Sequence, residues 1–186
     1  MATGSLETQY TPEDLLLMPD GHRYDLIDGQ LKERHMGAEA SSIAMAIYLL
    51  IGPHIRSRGL GRPFNSECGY QIFGAAGNNV RFPDGSFIAR GKLPDDRAPR
   101  GHVRIAPDWV LEVVSPNDLA EELEQKIEEY LQVGVRLIWV VFPVTRRIMV
   151  YRRGGQVSRL TPADQLSGED VIPDFVCRVE EVFAGI

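Results

Sequence analysis

The 186-residue chain has only two cysteines, Cys68 and Cys177, far apart, with no CxxC spacing and no histidine cluster beside them. That excludes a zinc site and a disulfide framework, and both are expected to be buried, reduced thiols of a cytosolic protein. Basic residues are also short: 20 Lys and Arg stand against 26 Asp and Glu, a net charge of −6. A protein that coats nucleic acid without specificity needs clustered Lys and Arg, so the charge argues against that class. An enzyme with a local basic rim around an acidic, metal-binding centre is not excluded. No apolar stretch approaches the ~18 residues of a membrane span, so no membrane is expected. The N-terminus lacks a basic region followed by an apolar run, which predicts no signal peptide and a cytoplasmic protein. There is no internal repeat, low-complexity tract or linker. One domain over residues 1–186 is expected, with 1–9 polar and flexible.

A hydrophobic fraction of 44% and a charged fraction of 25% suffice for a full core. Thr11-Pro12-Glu13-Asp14 starts a short helix that Pro19-Asp20-Gly21 stops. Asp28-Gly29 between Tyr24–Ile27 and Gln30-Leu31 predicts a hairpin. Ile43, Ile47, Leu50 and Ile51 at helical spacing predict a helix over 38–58, ended by Gly59 and trimmed or kinked by Pro53. Strands are expected over 64–73, 80–89, 109–114, 137–142, 148–152 and 156–160. Further helices are expected over 118–133, with an Asp118–Glu121 capping box, and 179–184. The class is α/β, an α+β mixed sheet flanked by helices. Loop 90–104 is long and rich in arginine, and is either a phosphate contact or a solvated surface.

The chemistry centres on Trp109-Val110-Leu111-Glu112-Val113-Val114, a strand apolar on both faces except at Glu112. An ionised carboxylate buried there must be paired or hold a metal, unless it marks an exposed strand end. Asp108 shares its face but lies roughly 13 Å away along the strand, too far to share one cation. A partner must come from a neighbouring strand, and Asp84 in Pro83-Asp84-Gly85 fits, although Asp-Gly can also be a plain turn. Lys126 falls at the edge of the apolar stripe formed by Leu119, Leu123, Ile127, Tyr130 and Leu131. It either comes level with Glu112 or pairs with Glu122 one turn away. Glu128 and Glu129 are expected to face outward.

Pro83-Asp84 followed by Glu112-Val113-Val114-Ser115-Pro116 resembles the PD-(D/E)xK signature of restriction-endonuclease-like proteins. The wording around it is similar to the Uma-two family of endonucleases: Tyr24-Asp25-Leu26-Ile27-Asp28-Gly29, Ala106-Pro107-Asp108, Lys126-Ile127-Glu128-Glu129-Tyr130 and Ile138-Trp139-Val140-Val141. Two departures stand out. Val114 occupies the usual lysine position, so the resemblance gives that role to Lys126. The family tends to carry Glu at Asp25 and His near Ala40, so Asp25 and Glu39 acquire no assigned role. The resemblance implies a restriction-endonuclease-like core with an added N-terminal hairpin, and a Mg²⁺-dependent endonuclease acting on DNA, with Mn²⁺ as substitute. Asp84 and Glu112 would hold the cation with the Val113 carbonyl, and Asp84, Glu112 and Lys126 would be the catalytic set. Arg81 and the 90–104 loop would meet the DNA backbone. Homodimerisation follows by fold analogy. The alternative is an inactive relative that binds nucleic acid or a protein, or an assembly module that dimerises through Val171 to Phe183.

Overall fold

The structure is a computed structural model and describes residues 8–35 and 37–186. Most of the expected flexible start, residues 1–7, lies outside the described residues. α1 (Pro12–Leu17) begins with a Thr11 cap whose hydroxyl accepts from the Asp14 N–H, while Asp14 accepts from the Thr11 N–H. β1 (Tyr24–Ile27) and β2 (Gln30–Glu33) form the predicted hairpin, with positive φ at Asp28 and Gly29 as a two-residue turn of this hand requires. α2 (Ala38–Arg58) runs through Pro53 instead of being trimmed there. Ile55 is buried behind the proline, and Gly59 at φ 60° caps the end while Leu60 N–H bonds back to Ile55. By length and composition α2 is the one helix among the described residues long and apolar enough to cross a membrane. That corrects the expectation of no such segment. Here its Ile43, Ile47, Ile51 and Ile55 stripe packs into the main core.

The next two predicted strands are each divided. Residues 64–73 become β3 (Gly61–Asn65) and β4 (Tyr70–Phe73), and 80–89 become β5 (Asn79–Arg81) and β6 (Gly85–Ala89). β5 and β6 belong to different sheets. Pro83, between them, has no N–H to give a ladder, and a Cβ on Gly85 would stand 2.6 Å from the Tyr48 hydroxyl. The chain therefore leaves one sheet and enters the other at Pro83-Asp84.

β7 (Trp109–Val113) is buried throughout, as its apolar run predicts. α3 (Ala120–Gln132) then crosses to β8 (Leu137–Phe142), parallel to β7, and β9 (Arg147–Arg152) and β10 (Val157–Leu160) follow antiparallel. The six-stranded sheet has the order β10-β9-β8-β7-β6-β3. A four-stranded sheet has the order β2-β1-β5-β4. A hairpin of β11 (Gln165–Ser167) and β12 (Val176–Arg178) was not expected, and α4 (Val179–Val182) closes the chain.

Strand alternation sorts β7 between two cores. Trp109, Leu111 and Val113 face α2 and the C-terminal segment, where Val171, Ile172, Phe175, Val182 and Phe183 are also buried. These C-terminal side chains belong to the core, so the expected dimer surface at Val171–Phe183 is not available. Val110 lies on the other face, with Ile127 and Tyr130 of α3. Glu112 shares the parity of Val110 and so looks toward α3.

Candidate active site

The β6–β7 register pairs Gly85 with Leu111. Carried one residue further, it sets Asp84 opposite Glu112, and Asp84 Oδ2 indeed accepts the Val113 N–H at 2.8 Å. From α3, the Lys126 ammonium reaches Glu112 Oε2 at 3.5 Å, and the Tyr130 hydroxyl donates to Glu112 Oε1 at 2.7 Å. The same ammonium stands 3.7 Å from Asp25 on β1. Asp84, Glu112 and Lys126 thus line one pocket, and Val113 lines it with them. The competing pairing of Lys126 with Glu122 is not made; Glu122 pairs with Lys32 at 3.4 Å. Asp108 is excluded as expected. It is fully buried at the start of β7, held by Lys92 at 2.6 Å, Arg136 at 3.6 Å and the Ala89 N–H.

Several expectations fail here. Arg81 lines the pocket but is not a free, exposed cation. It is buried, forks onto Glu129 at 2.9 and 3.0 Å and bonds Asp25 at 3.0 Å. Glu129 therefore turns inward, because an arginine buried on β5 requires carboxylate partners. None of the arginines of loop 90–104 lines the pocket. Lys92 of that loop is committed to Asp108. Leu119 is no part of the buried stripe; it is 62% exposed, before the first turn of α3. Asp118 makes no capping box there, because its carboxylate takes the Ser115 N–H at 2.7 Å. Glu39 is exposed in the first turn of α2 and does not line the pocket. Cys68 is half-buried and Cys177 buried, and both are free. Burial pushes their thiols up to about 11 and about 12, which makes both poor nucleophiles.

Three residues of the site were given no role by the sequence. Asp25 accepts from Arg81 and the Phe82 N–H and stands 3.8 Å from Arg34. Arg34 lies 3.4 Å from Asp84. Tyr130 was read only as apolar stripe. The argument used for Glu112 applies to Asp25 as well, since it is a carboxylate beside Leu26 and Ile27 in a buried strand. Arg34 carries no such signal in the polar run Lys32-Glu33-Arg34-His35.

The cluster holds four carboxylates (Asp25, Asp84, Glu112, Glu129) and three cations (Arg34, Arg81, Lys126), an excess of one negative charge. Burial and the neighbouring Glu112 raise Asp84 to about 7, so a proton on Asp84 removes that excess near neutrality. Burial alone would lower the Lys126 ammonium and raise Asp25. The carboxylates around Lys126, Glu112 first, outweigh this and lift it to about 12. Lys126, Arg81 and Arg34 together hold Asp25 below the usual range.

Would a divalent cation fit? Among the described residues no group of three or more His, Cys, Asp or Glu is set to hold one. The donors are two adjacent hard-oxygen carboxylates in a pocket with surplus negative charge. That set suits Mg²⁺, which keeps several waters and uses one or two carboxylates plus substrate phosphate.

A mixed six-stranded sheet with one parallel crossover, carrying a carboxylate at the Pro83-Asp84 entry and another on the central strand, has the restriction-endonuclease-like fold. The family model Uma2, described as "Putative restriction endonuclease", matches residues 12–180, and the chain belongs to that family. A solved structure, a "putative nuclease belonging to DUF820" from Anabaena variabilis, shares the fold with a TM-score of 0.78. It is 20% identical, over 94% of this chain and 97% of that one. No curated protein matches the chain.

Proposed function

We propose that the protein is a Mg²⁺-dependent endonuclease that hydrolyses DNA phosphodiester bonds. The observation that carries this reading is the meeting of Asp84 and Glu112 with the Lys126 ammonium in one pocket. Asp84 and Glu112 would hold the cation, with the Val113 carbonyl as a further oxygen. Bound there, Mg²⁺ supplies Lewis acidity toward a phosphate oxygen and makes water more acidic. The charge excess of one negative becomes one positive, which draws an anionic phosphodiester into the pocket.

The protein's own groups do the rest. Tyr130 keeps Glu112 Oε1 occupied and fixes the carboxylate's rotation, leaving Oε2 toward Lys126 and the pocket. The Val113 N–H fixes Asp84 in the same way. Lys126 remains charged across the physiological range, because its carboxylate neighbours lift it to about 12. It therefore acts as a fixed positive charge, steadying the negative charge that builds on the phosphoryl oxygens, and not as a base. The assay is direct. Supercoiled and linear DNA are incubated with the protein at low salt with Mg²⁺, with Mn²⁺ or with EDTA. Cleavage in the metal lanes only is expected; intact DNA with both metals would defeat the reading.

Asp84 sets the pH dependence. A cation needs it ionised, and it titrates at about 7. Mn²⁺ affinity measured by calorimetry should therefore fall about tenfold between pH 8 and pH 6. Without metal the sign reverses. A carboxyl raised above its unfolded value of 3.8 contributes stability that is complete below 3.8 and is lost as pH rises through about 7. The metal-free protein should melt at a higher temperature at pH 6 than at pH 8, and the difference should shrink when saturating Mn²⁺ is added.

A further inference from the structure

Arg34, like Lys126, meets the cluster's carboxylates only at long distances, but unlike Lys126 it is pinned on its other side by two backbone carbonyls. A guanidinium has five N–H donors. Nη1 of Arg34 is fully engaged with backbone, at 2.8 Å to the His22 carbonyl and 3.1 Å to the Ser66 carbonyl. Its carbon lies 5.5 Å from the centre of the Phe82 ring, so one flank is held as well. The opposite edge faces the pocket. There Nε is 3.8 Å from Asp25 and Nη2 is 3.4 Å from Asp84. Charge-assisted N–H···O bonds close to about 2.7–2.9 Å, so both distances are long. Arg81 shows what a satisfied arginine looks like in this protein, with three contacts of 2.9–3.0 Å to Asp25 and Glu129.

Asp84 explains why the long edge matters. Its Oδ2 is taken by the Val113 N–H, and the oxygen left facing outward, Oδ1, is the one Arg34 approaches. A divalent cation and a guanidinium at one carboxylate oxygen repel each other unless an anion lies between them. A phosphate oxygen is that anion, and the planar Nε/Nη2 edge matches its geometry.

We propose that Arg34 is a phosphate-binding residue, gripping a non-bridging oxygen of the scissile phosphate with its Nε/Nη2 edge while Nη1 stays anchored to the His22 and Ser66 carbonyls. The assignment rests on the nuclease reading above. It makes Arg34, on the loop after β2, the arginine that meets the DNA backbone, in place of Arg81 and the 90–104 loop.

The test uses the full chain as wild type, Arg34→Ala and Arg34→Lys. Binding of a short DNA duplex is followed by fluorescence anisotropy across a salt series with Ca²⁺ present, and Mn²⁺ affinity is measured separately by calorimetry without DNA. Arg34→Ala should bind the duplex about tenfold more weakly and lose about one unit of salt slope, as one phosphate contact predicts. Its Mn²⁺ affinity should stay equal or rise, since a competing cation has gone. Arg34→Lys keeps the charge but not the fork, so its cleavage rate should fall at least tenfold. An unchanged duplex affinity and slope in Arg34→Ala would overturn the assignment. So would a loss of Mn²⁺ affinity in step with DNA affinity, because Arg34 would then only hold Asp84 in place. If Arg34→Ala does not fold, Arg34→Lys decides, and wild-type cleavage by it overturns the proposal. A wild type that neither binds nor cuts DNA defeats the nuclease reading itself, a result distinct from active wild type with active Arg34 variants.

Discussion

Glu112→Ala is expected to lower the rate of DNA cleavage on the order of 1,000-fold or more at saturating Mg²⁺. Glu112 lies at the centre of the buried cluster, and two neighbours depend on it: the Tyr130 hydroxyl at 2.7 Å and the Lys126 ammonium at 3.5 Å. Its removal deletes a cation ligand and leaves a buried hydroxyl without an acceptor, so the melting temperature should fall as well. Glu112→Gln separates the two effects. The amide keeps an oxygen for Tyr130 and the packing of β7, so it should melt near the wild type and still be inactive. Asp84→Ala should match Glu112→Ala in rate. Lys126→Ala should lose only about 100-fold and retain Mn²⁺ affinity, because the lysine touches the carboxylates but donates no oxygen to a metal. Initial rates of plasmid nicking beside melting curves give all of this. A Glu112→Gln variant that folds and cuts at the wild-type rate would remove Glu112 from the mechanism.

Asp25→Ala should be the most destabilising single change in the pocket, by about 3–5 kcal/mol. The reason is structural. Asp25 is 2% exposed and is approached by three cations, Arg81 at 3.0 Å, Lys126 at 3.7 Å and Arg34 at 3.8 Å, while its Oδ1 also takes the Phe82 N–H. Truncation strands buried positive charge and orphans a backbone donor next to Pro83-Asp84. Because its partners hold Asp25 below its ordinary value of 3.8, its contribution is present above that value and is lost as pH falls through the depressed one. Urea unfolding at pH 7 measures the loss; a change under about 1 kcal/mol would mean that the three cations find other partners. The same contacts argue that Asp25 is a counter-ion for the pocket's cations, a role the sequence left unassigned.

The carboxylate cluster was legible because two elementary constraints meet in β7. A strand apolar on both faces makes Glu112 conspicuous, and a rise of about 3.3 Å per residue removes Asp108 without any structure. Helical periodicity then placed Lys126 at the edge of the buried stripe of α3, where the structure has it. The rest depended on contacts between distant segments. Glu129 looks like a solvent-facing residue on a helical wheel, and only the arrival of Arg81 from β5 turns it inward. The 80–89 run reads as one strand interrupted at Pro83 and Gly85, because those residues mark an edge or a bulge locally but do not say that its two halves enter different sheets. Val171–Phe183 looks like an exposed apolar segment until the β11–β12 hairpin folds it against α2 and the main sheet. Arg34 sits in an ordinary polar run, and its position is set by carbonyls at His22 and Ser66, 12 and 32 residues away in sequence.

The central claim is that Asp84 and Glu112 hold one divalent cation between them. Crystals grown or soaked with Mn²⁺, with anomalous scattering recorded near the manganese edge, address it without reference to activity. The account predicts an anomalous peak in the pocket beside Lys126, within about 2.0–2.3 Å of a carboxylate oxygen from each of Asp84 and Glu112, with water completing the shell. No peak there at saturating Mn²⁺, or a peak at other residues with these two carboxylates still bound only to Val113, Arg34, Tyr130 and Lys126, would contradict it.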